Sequence, residues 1–414
     1  MRHPLRSFRM VSSICSGFLF VSVCVHAEGF KYTGAGACSA TTCHGSAKPK
    51  NAGLTQSNEF TIWSQKDKHA KAFEALYSED AQAIAKAMGL GEAAKAEKCL
   101  TCHTTGDGSR TGMGGVAYKD KALQGTKYDV EEGVSCNACH GPAGKWLDPH
   151  TKQDWTTAQR KANPDKAKLF KAFGLYDTKP VMARANNCVS CHLRIDVKML
   201  EADHPPLYFE LSTNSENMPP HWKDKGAYLR PKLWAAGQTA ALRESLRQLA
   251  ERAGGEADED FIAEAADQAK AHATVLRHVL PVGPAKTVND VLSAVGGAGE
   301  DAGKLAAAGK DGAAKITGIE SEIEKLSFDA AKTKDAINKV AGDLSGMDLD
   351  FVGAEQTLYA IDVMVATLAD NEIVADEFDE AMESLWEELD EDELDVDKAK
   401  AGLKKVAGIA AGLK

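Results

Sequence analysis

The stretch Cys136-Asn137-Ala138-Cys139-His140 has the form C-x-x-C-H, and this form occurs three times in the 414-residue chain. The other two copies are Cys99-Leu100-Thr101-Cys102-His103 and Cys188-Val189-Ser190-Cys191-His192. A looser version, Cys38-Ser39-Ala40-Thr41-Thr42-Cys43-His44, has four residues between its cysteines instead of two. Two cysteines at such a spacing, followed directly by a histidine, are typical of covalent c-type haem attachment. The four motifs therefore predict four haem c groups.

Each motif supplies three side chains to its predicted haem. Two thiols add to the two vinyl groups of the porphyrin, and the histidine becomes the proximal ligand of the iron. The predicted attachment residues are Cys38, Cys43, Cys99, Cys102, Cys136, Cys139, Cys188 and Cys191. The predicted proximal ligands are His44, His103, His140 and His192.

The cysteine count supports this interpretation. Of ten cysteines, Cys15 and Cys24 lie in an amino-terminal segment that we expect to be removed, and the other eight belong to the motifs. No thiol then remains for a disulfide, the usual fate of cysteines in an exported protein. Zinc is the alternative, but a structural zinc ion needs four ligands. It would not explain why a histidine directly follows each second cysteine.

The amino terminus has the features of a secretory signal. Basic residues at positions 2, 6 and 9 precede the apolar run Met10–Val25, and Val25-His26-Ala27 forms a small-residue exit. We expect residues 1–27 to be a signal peptide cleaved after Ala27. Since no other stretch approaches the roughly 18 apolar residues of a membrane span, the mature chain is predicted to have no span and to be periplasmic. An extracellular location, or retention as an uncleaved anchor, is the alternative.

Histidines outside the motifs are the candidates for the second axial ligand of each iron. Four of them lie among the motifs, as many as there are irons: His69, His150, His204 and His221. This equality predicts bis-histidine, low-spin haems, although a lone histidine is more often part of a surface or core. We assign that ordinary role to His272 and His278, which lie further along the chain. Thioether ligation by Met182, Met199 or Met218 is the alternative, and it would raise a haem's potential.

Charge divides the chain into two parts. Residues 28–250 carry 30 Lys and Arg against 24 Asp and Glu, whereas residues 251–414 carry 16 against 36. Haem propionates would compensate the small basic excess of the first part. We find no basic stripe with interleaved aromatic residues, so nucleic acid is not an expected partner.

The predicted fold is mainly α. We expect residues 28–225 to form a tetrahaem cytochrome c domain with little regular structure beyond short helices, because porphyrins supply its apolar core. Residues 226–414 are predicted to form an acidic, all-α extension. Apolar spacing predicts these helical segments: Ile62–Met88, with a second start at Ser78; Trp234–Leu249, ended by Gly254; Glu264–Leu280; Phe351–Leu368; and Phe378–Leu389. Residues 282–345 are predicted to be loosely packed helices or partly disordered.

These features resemble the cytochrome c554-like family of exported tetrahaem cytochromes. The resemblance spans roughly residues 35–225 and rests on the motifs, on Cys139-His140-Gly141-Pro142 with His150 downstream, and on Trp63-Ser64 with His69-Ala70 before the second motif. It implies a mostly helical fold with closely stacked haem pairs and a role in electron transfer, in some members from a hydroxylamine-oxidising enzyme. The wider first motif departs from the family, some relatives keep one five-coordinate haem, and the acidic extension has no counterpart that we can name.

The function that follows is electron transfer rather than enzymatic catalysis, because a bis-histidine iron has no open position for a substrate. Expected partners are redox proteins, such as a multihaem dehydrogenase or a quinol-oxidising membrane cytochrome. The alternative is an oxidoreductase that acts on a small nitrogen or sulfur compound at one open haem iron. A structural role, as a stacked filament or a scaffold, is a third hypothesis. The acidic segment Asp376–Asp397 is either a solvated helix face or a surface that steers a basic partner.

Overall fold

The structure is a computed structural model that describes residues 30–413, except 51–54, 109–114, 153–165, 223, 225, 348–349, 374–375 and 390–393. The expected signal peptide, residues 1–27, lies outside the described residues. The chain is mainly α-helical, as predicted. In the described ranges, β structure is limited to two isolated bridges, Tyr32 with Gln124 and Asp107 with Val116. No helix in these ranges is both long enough and apolar enough to cross a membrane.

Short helices separated by irregular backbone make up the motif-bearing region. They are α1 (Glu59–Lys66), α2 (Glu79–Ala87), α3 (Glu97–His103), α4 (Cys136–His140), α5 (Lys166–Phe173), α6 (Val181–His192), α7 (Val197–Leu200) and α8 (Leu211–Asn217). Buried apolar residues form small, separate clusters here, one around Phe73 and Leu76 and another around Trp146 and Phe170.

The helix predicted over Ile62–Met88 is divided. Helix α1 ends at Lys66, and two 3-10 turns lead to Ser78. The Ser78 hydroxyl then accepts a hydrogen bond from the Ala81 N–H at 3.2 Å and caps α2. A serine in this position satisfies a backbone donor that has no partner within the helix, so the expected second start at Ser78 is confirmed.

The carboxy-terminal region consists of long helices around one continuous core. They are α9 (Leu229–Ala253), α10 (Glu259–Leu276), α11 (Val282–Ala298), α12 (Ala302–Ile323), α13 (Ala330–Leu344), α14 (Phe351–Asp370), α15 (Asp376–Leu389) and α16 (Val396–Gly412). Helix α9 is central and packs against α10, α12 and α6. It ends before Gly254, as predicted.

Residues 282–345 are better packed than their composition indicates. Val288 and Val291 of α11, Ile316 of α12 and Ile337 of α13 are all buried in the core of this region. Small residues make the apolar stripe hard to see in the sequence, yet they allow helices to approach closely. A Cβ atom added to Gly309 would lie only 2.6 Å from the carbonyl oxygen of Leu246.

The fourth motif lies on the helix that joins the two regions. Val181, Ala185 and Val189 of α6 share an apolar core with Leu233 and Ala240 of α9. The core therefore crosses the boundary placed at residue 225, and the division into two domains stays a prediction.

Candidate haem sites

Three of the four motifs form the carboxy-terminal end of a helix. Helices α3, α4 and α6 each end at the motif histidine, namely His103, His140 and His192. On a helix, side chains at positions i, i+3 and i+4 share a face. The two cysteines and the histidine of C-x-x-C-H have this spacing, so both thiols and the imidazole face one side, as attachment to a single porphyrin requires.

The first motif reaches its place through turns rather than a helix. The N–H of Cys43 donates to the carbonyl of Ala40 at 2.8 Å, and the N–H of His44 donates to the carbonyl of Cys38 at 3.3 Å. The hydrogen bond from His44 to Cys38 closes a loop that contains the four residues between the two cysteines. The histidine is thereby returned to the vicinity of the first cysteine despite the wider spacing.

Carboxylates orient two of the predicted ligand rings. Nδ1 of His44 lies 2.9 Å from Oε2 of Glu59, and Nδ1 of His69 lies 2.9 Å from Oδ1 of Asp67. An imidazole that donates through Nδ1 keeps the lone pair of Nε2 for a metal, and such outer partners fix both the tautomer and the ring orientation. These hydrogen bonds raise the pKa of both histidines against the opposing effect of burial.

Backbone carbonyls take the same role at other rings. Nδ1 of His103 lies 2.7 Å from the carbonyl of Ala72, and Nδ1 of His150 contacts the carbonyl of Leu147. The edge of the Trp146 ring packs against His150, with ring centroids 5.3 Å apart and planes at 87°. In both cases Nε2 is the nitrogen left to bind a ligand.

Two pairs of rings have the separation expected for ligands on opposite sides of one metal ion. The centroids of His44 and His150 are 6.4 Å apart, and those of His69 and His192 are 5.8 Å apart. With a metal about 2 Å from one nitrogen of each ring, and each nitrogen about 1 Å from its own centroid, the centroids would be about 6 Å apart. The two pairs differ in mutual orientation, with interplanar angles of 12° and 81°.

His221 is close enough to His140 of the third motif, and also to His69, for their charges to affect one another. After burial, the charge of His221 is the largest influence that lowers the pKa of His140. The segment of His221 is held on α6, since the Arg184 guanidinium donates to both carboxylate oxygens of Asp224 at 2.8 and 2.9 Å. Trp222 Nε1 also donates to Asp224, at 2.9 Å.

His204 has a different setting from the other three predicted distal ligands. It follows α7 in a partly exposed position, and its Nδ1 lies 2.8 Å from the carbonyl of Pro205. The assignment of His204 to an iron stays a prediction.

The first, third and fourth motifs are neighbours in space. The thiol of Cys136 lies close enough to that of Cys38 to lower the pKa of Cys38 to about 7. Burial raises the pKa of Cys188 to about 12, and the nearby Cys139 adds to this rise. Backbone contacts fix the arrangement: the N–H of Thr33, before the first motif, donates to Oδ1 of Asn137 in the third motif at 2.8 Å.

Gly141, directly after the third motif, also depends on this close packing. Its φ is 79°, and an added Cβ would lie 2.3 Å from the carbonyl of Gly174. A residue with a side chain would be excluded by both the backbone conformation and the contact. The Gly-Pro that follows Cys139-His140 thus ends α4 and brings it against the segment before α6.

Burial keeps two motif histidines in the neutral form. It lowers the pKa of His140 to about 4, and burial together with the charge of His69 lowers that of His192 to about 4. A neutral imidazole is the form that ligates a metal. Zinc is the alternative to haem that the sequence analysis considered, and a structural zinc ion needs four ligands. Among the described residues, no group of three or more His, Cys, Asp or Glu side chains could hold a metal ion.

Several residues that shape the sites were not found from the sequence. Asp67 could have been suspected, because its carboxylate also accepts the His69 N–H at 3.0 Å in a local turn. Glu59 gave no such signal, because it is fifteen residues from His44 along the chain. Met182, considered as a thioether ligand, is buried in the core shared by α6 and α9. His272 is a core histidine, with Nδ1 2.7 Å from Oε1 of Gln238.

Cysteine pairs followed directly by a histidine are typical of covalent haem c attachment, the chemistry of c-type cytochromes. Residues 37–141 match the family model described as cytochrome c554 and c-prime. The match confirms the c554-like resemblance over the first three motifs, and such cytochromes carry covalently bound haem c. No curated protein and no solved structure matches the chain. The fourth motif and the helical extension lie beyond the matched residues.

Proposed function

We propose that the chain is a periplasmic tetrahaem cytochrome that passes electrons between redox-partner proteins. The four motif histidines would be the proximal ligands, and three irons would take His150, His221 and His69 as distal ligands opposite His44, His140 and His192. His204 is the remaining candidate for the iron of His103. Bound haem would supply one-electron redox chemistry at each site.

The observation that carries this proposal is the pairing of His44 with His150. Their centroids are separated by the distance that two axial ligands of one metal require, and an oxygen atom holds Nδ1 of each ring. A histidine in an ordinary surface or core position can have a hydrogen-bond partner at Nδ1, but nothing requires a second histidine at this separation. The pair of His69 and His192 repeats the spacing with a different ring orientation.

The contacts among the first, third and fourth motifs support an electron path. Cys136 lies close enough to Cys38, and Cys139 close enough to Cys188, to affect the pKa of each partner thiol. Groups attached to these cysteines would lie close together, so electrons could pass between them in short steps. The surrounding chain would limit water around each group and thereby the reorganisation that accompanies each transfer.

Spectroscopy of the purified protein tests the proposal. We expect mass spectrometry to give four haems per chain and electron paramagnetic resonance to give low-spin signals. His150→Ala should convert one haem to a high-spin form that binds carbon monoxide. The matched control is His278→Ala in the extension, which should leave every haem unchanged. Fewer than four haems, or a wild-type spectrum for His150→Ala, would contradict the proposal.

Electrostatic steering is the proposed contribution of the acidic surface to partner binding. Helix α15 carries Asp376, Glu377 and Asp379 in its first turn, and its buried face is formed by Phe378, Met382 and Leu385. The acidic side chains are thus presented outward from a packed helix. If a basic partner is guided by them, its rate of reduction should fall as ionic strength rises. A rate that does not depend on salt would exclude this role.

A further inference from the structure

The fourth motif is held by the helical extension along the whole of α6. At its start, the N–H of Met182 donates to Oε1 of Glu324 at 2.7 Å. Just after its end, Nε2 of Gln248 donates to the carbonyl of Leu193 at 3.2 Å. Helix termini leave backbone groups without intrahelical partners, and here side chains of α9 and of the segment after α12 supply partners at both ends.

Between these ends, a buried arginine contacts the middle of α6. Nη1 of Arg243 donates to Oδ1 of Asn186 at 2.7 Å and also to a carboxylate oxygen of Glu320. Asn186 in turn donates to Oε2 of Glu320 at 3.3 Å. Asn186 precedes Cys188 by two residues, so this contact reaches the last turns of the helix, where the motif lies.

Arg243 continues the apolar stripe that packs against α6. Leu233, Ala236 and Ala240 form that stripe on α9, and position 243 is the next on the same face. The Arg243 side chain is only 7% exposed, and that of its second partner Glu244 is 5% exposed. A buried charge is costly unless it is paired and hydrogen-bonded. An apolar residue would have completed the stripe, so packing alone does not explain a guanidinium at this position.

We propose that the extension serves the fourth haem site, and that Arg243, together with Glu320, is a positioning pair that holds the Cys188–His192 turn and sets the potential of the haem attached there. This inference rests on the proposed function, because it takes the fourth motif as a haem site. It assigns a role to the region outside the cytochrome c554 match. Arg243 holds the turn through its hydrogen bond to Asn186 and affects the potential through its positive charge.

The charge argument gives opposite signs for the two members of the pair. An oxidised haem carries one more positive charge than a reduced haem. Removing the Arg243 cation therefore favours the oxidised form and lowers the potential, whereas neutralising Glu320 favours the reduced form and raises it. A general loosening of the fold would not produce opposite shifts.

The test is spectroelectrochemical titration of the full haem-loaded chain and its variants. With Arg243→Gln, we expect one of the four haems to become about tenfold easier to oxidise, a shift of about 59 mV to lower potential for one electron. With Glu320→Gln, the same haem should shift to higher potential. The matched control is Arg247→Gln, because Arg247 also pairs with Glu244 but its side chain is 44% exposed. It should leave all four potentials unchanged.

Hydrogen exchange gives a readout that does not depend on redox activity. Arg243→Gln should reduce the protection of amides in residues 181–193 and leave α3 and α4 unaffected. The inference is overturned if all four haems shift together, if both variants shift in the same direction, or if potentials and protection stay as in the wild type. If Arg243→Gln does not accumulate, Glu320→Gln decides alone. A wild-type haem count below four would contradict the proposed function instead.

Discussion

The motif-bearing region and the helical extension bury apolar surface in different ways. Around the first three motifs, buried residues form separate small groups, such as Phe73 with Leu100 and Trp146 with Phe170. In the extension, residues of successive helices join one continuous core. The second region therefore has an apolar core made of its own side chains. The first region has polypeptide packed around motif cysteines and histidines, which fits a core completed by porphyrins.

The comparison is tested most strongly by producing the chain without haem attachment. We expect residues around α1–α4 to lose protection from hydrogen exchange, while α10–α16 keep theirs, because only the extension has a core of its own side chains. The measurement is amide exchange on the haem-free chain. Protection of the motif region equal to that of the haem-loaded protein would show that its small clusters are sufficient.

Truncation of a central core residue should destabilise the extension. Leu246 is fully buried and packs against α12 at Gly312. Leu246→Ala is expected to lower the free energy of unfolding by about 2–5 kcal/mol, through lost apolar contact and a residual cavity. Denaturant unfolding followed by far-ultraviolet circular dichroism measures this. Val282→Ala is the control, because that side chain is 88% exposed; comparable losses for both variants would contradict a continuous core.

The pH dependence of the extension follows from its buried histidine. Burial lowers the pKa of His272 to about 4 from an ordinary value of 6.5. Between pH 6.5 and about 4, the unfolded chain therefore binds a proton at His272 that the folded chain does not bind. The stability that depends on a neutral His272 is fully present above pH 6.5 and is lost as the pH falls towards 4. The loss is about 3 kcal/mol.

His272→Gln separates the effect of the histidine from that of the carboxylates, many of which also bind protons between pH 7 and pH 4. Its unfolding free energy should fall less than that of the wild type between pH 7 and pH 4, by about 3 kcal/mol. Identical pH profiles for the two proteins would show that His272 can take up a proton without unfolding.

Exposed ion pairs should have the smallest effect, and an equal one in both regions. Lys71 pairs with Glu74 in the motif region at 3.0 Å, and Lys286 pairs with Asp290 in the extension at 2.6 Å. All four side chains are more than half exposed. Replacing either lysine with alanine should change the unfolding free energy by less than about 0.5 kcal/mol. A larger effect in one region would mean that surface charge, and not only the core, distinguishes the two.

Local patterns in the sequence predicted much of this organisation. The i, i+3, i+4 spacing of each C-x-x-C-H motif fits the helix ends at His103, His140 and His192. Ser78 marked a helix start, and Gly254 marked the end of α9. These features depend on residues close together in the chain, where capping and side-chain periodicity determine the structure.

Features that depend on distant residues were not predictable in the same way. The pairing of His44 with His150 joins residues more than one hundred positions apart, and the partner of Nδ1, Glu59, is a surface-type residue in the sequence. Residues 282–345 were predicted to be loosely packed because Ala and Gly hide a sparse stripe of Val and Ile. Arg243 could not be recognised at all, since its role depends on Asn186 of another helix.

The contact between Met182 and Glu324 has a consequence for the order in which the molecule is completed. The two residues are 142 positions apart, so we expect α6 to reach its final environment only after the chain through α12 has folded. Long-range contacts form late because closing a long loop is entropically unfavourable. During refolding of the haem-loaded chain, we expect amides of α6 to become protected together with α12 and after α10. Protection of α6 before α12, in pulse-labelling hydrogen exchange, would contradict this order. If this expected order holds, the last motif in the sequence is also the last to reach its folded environment.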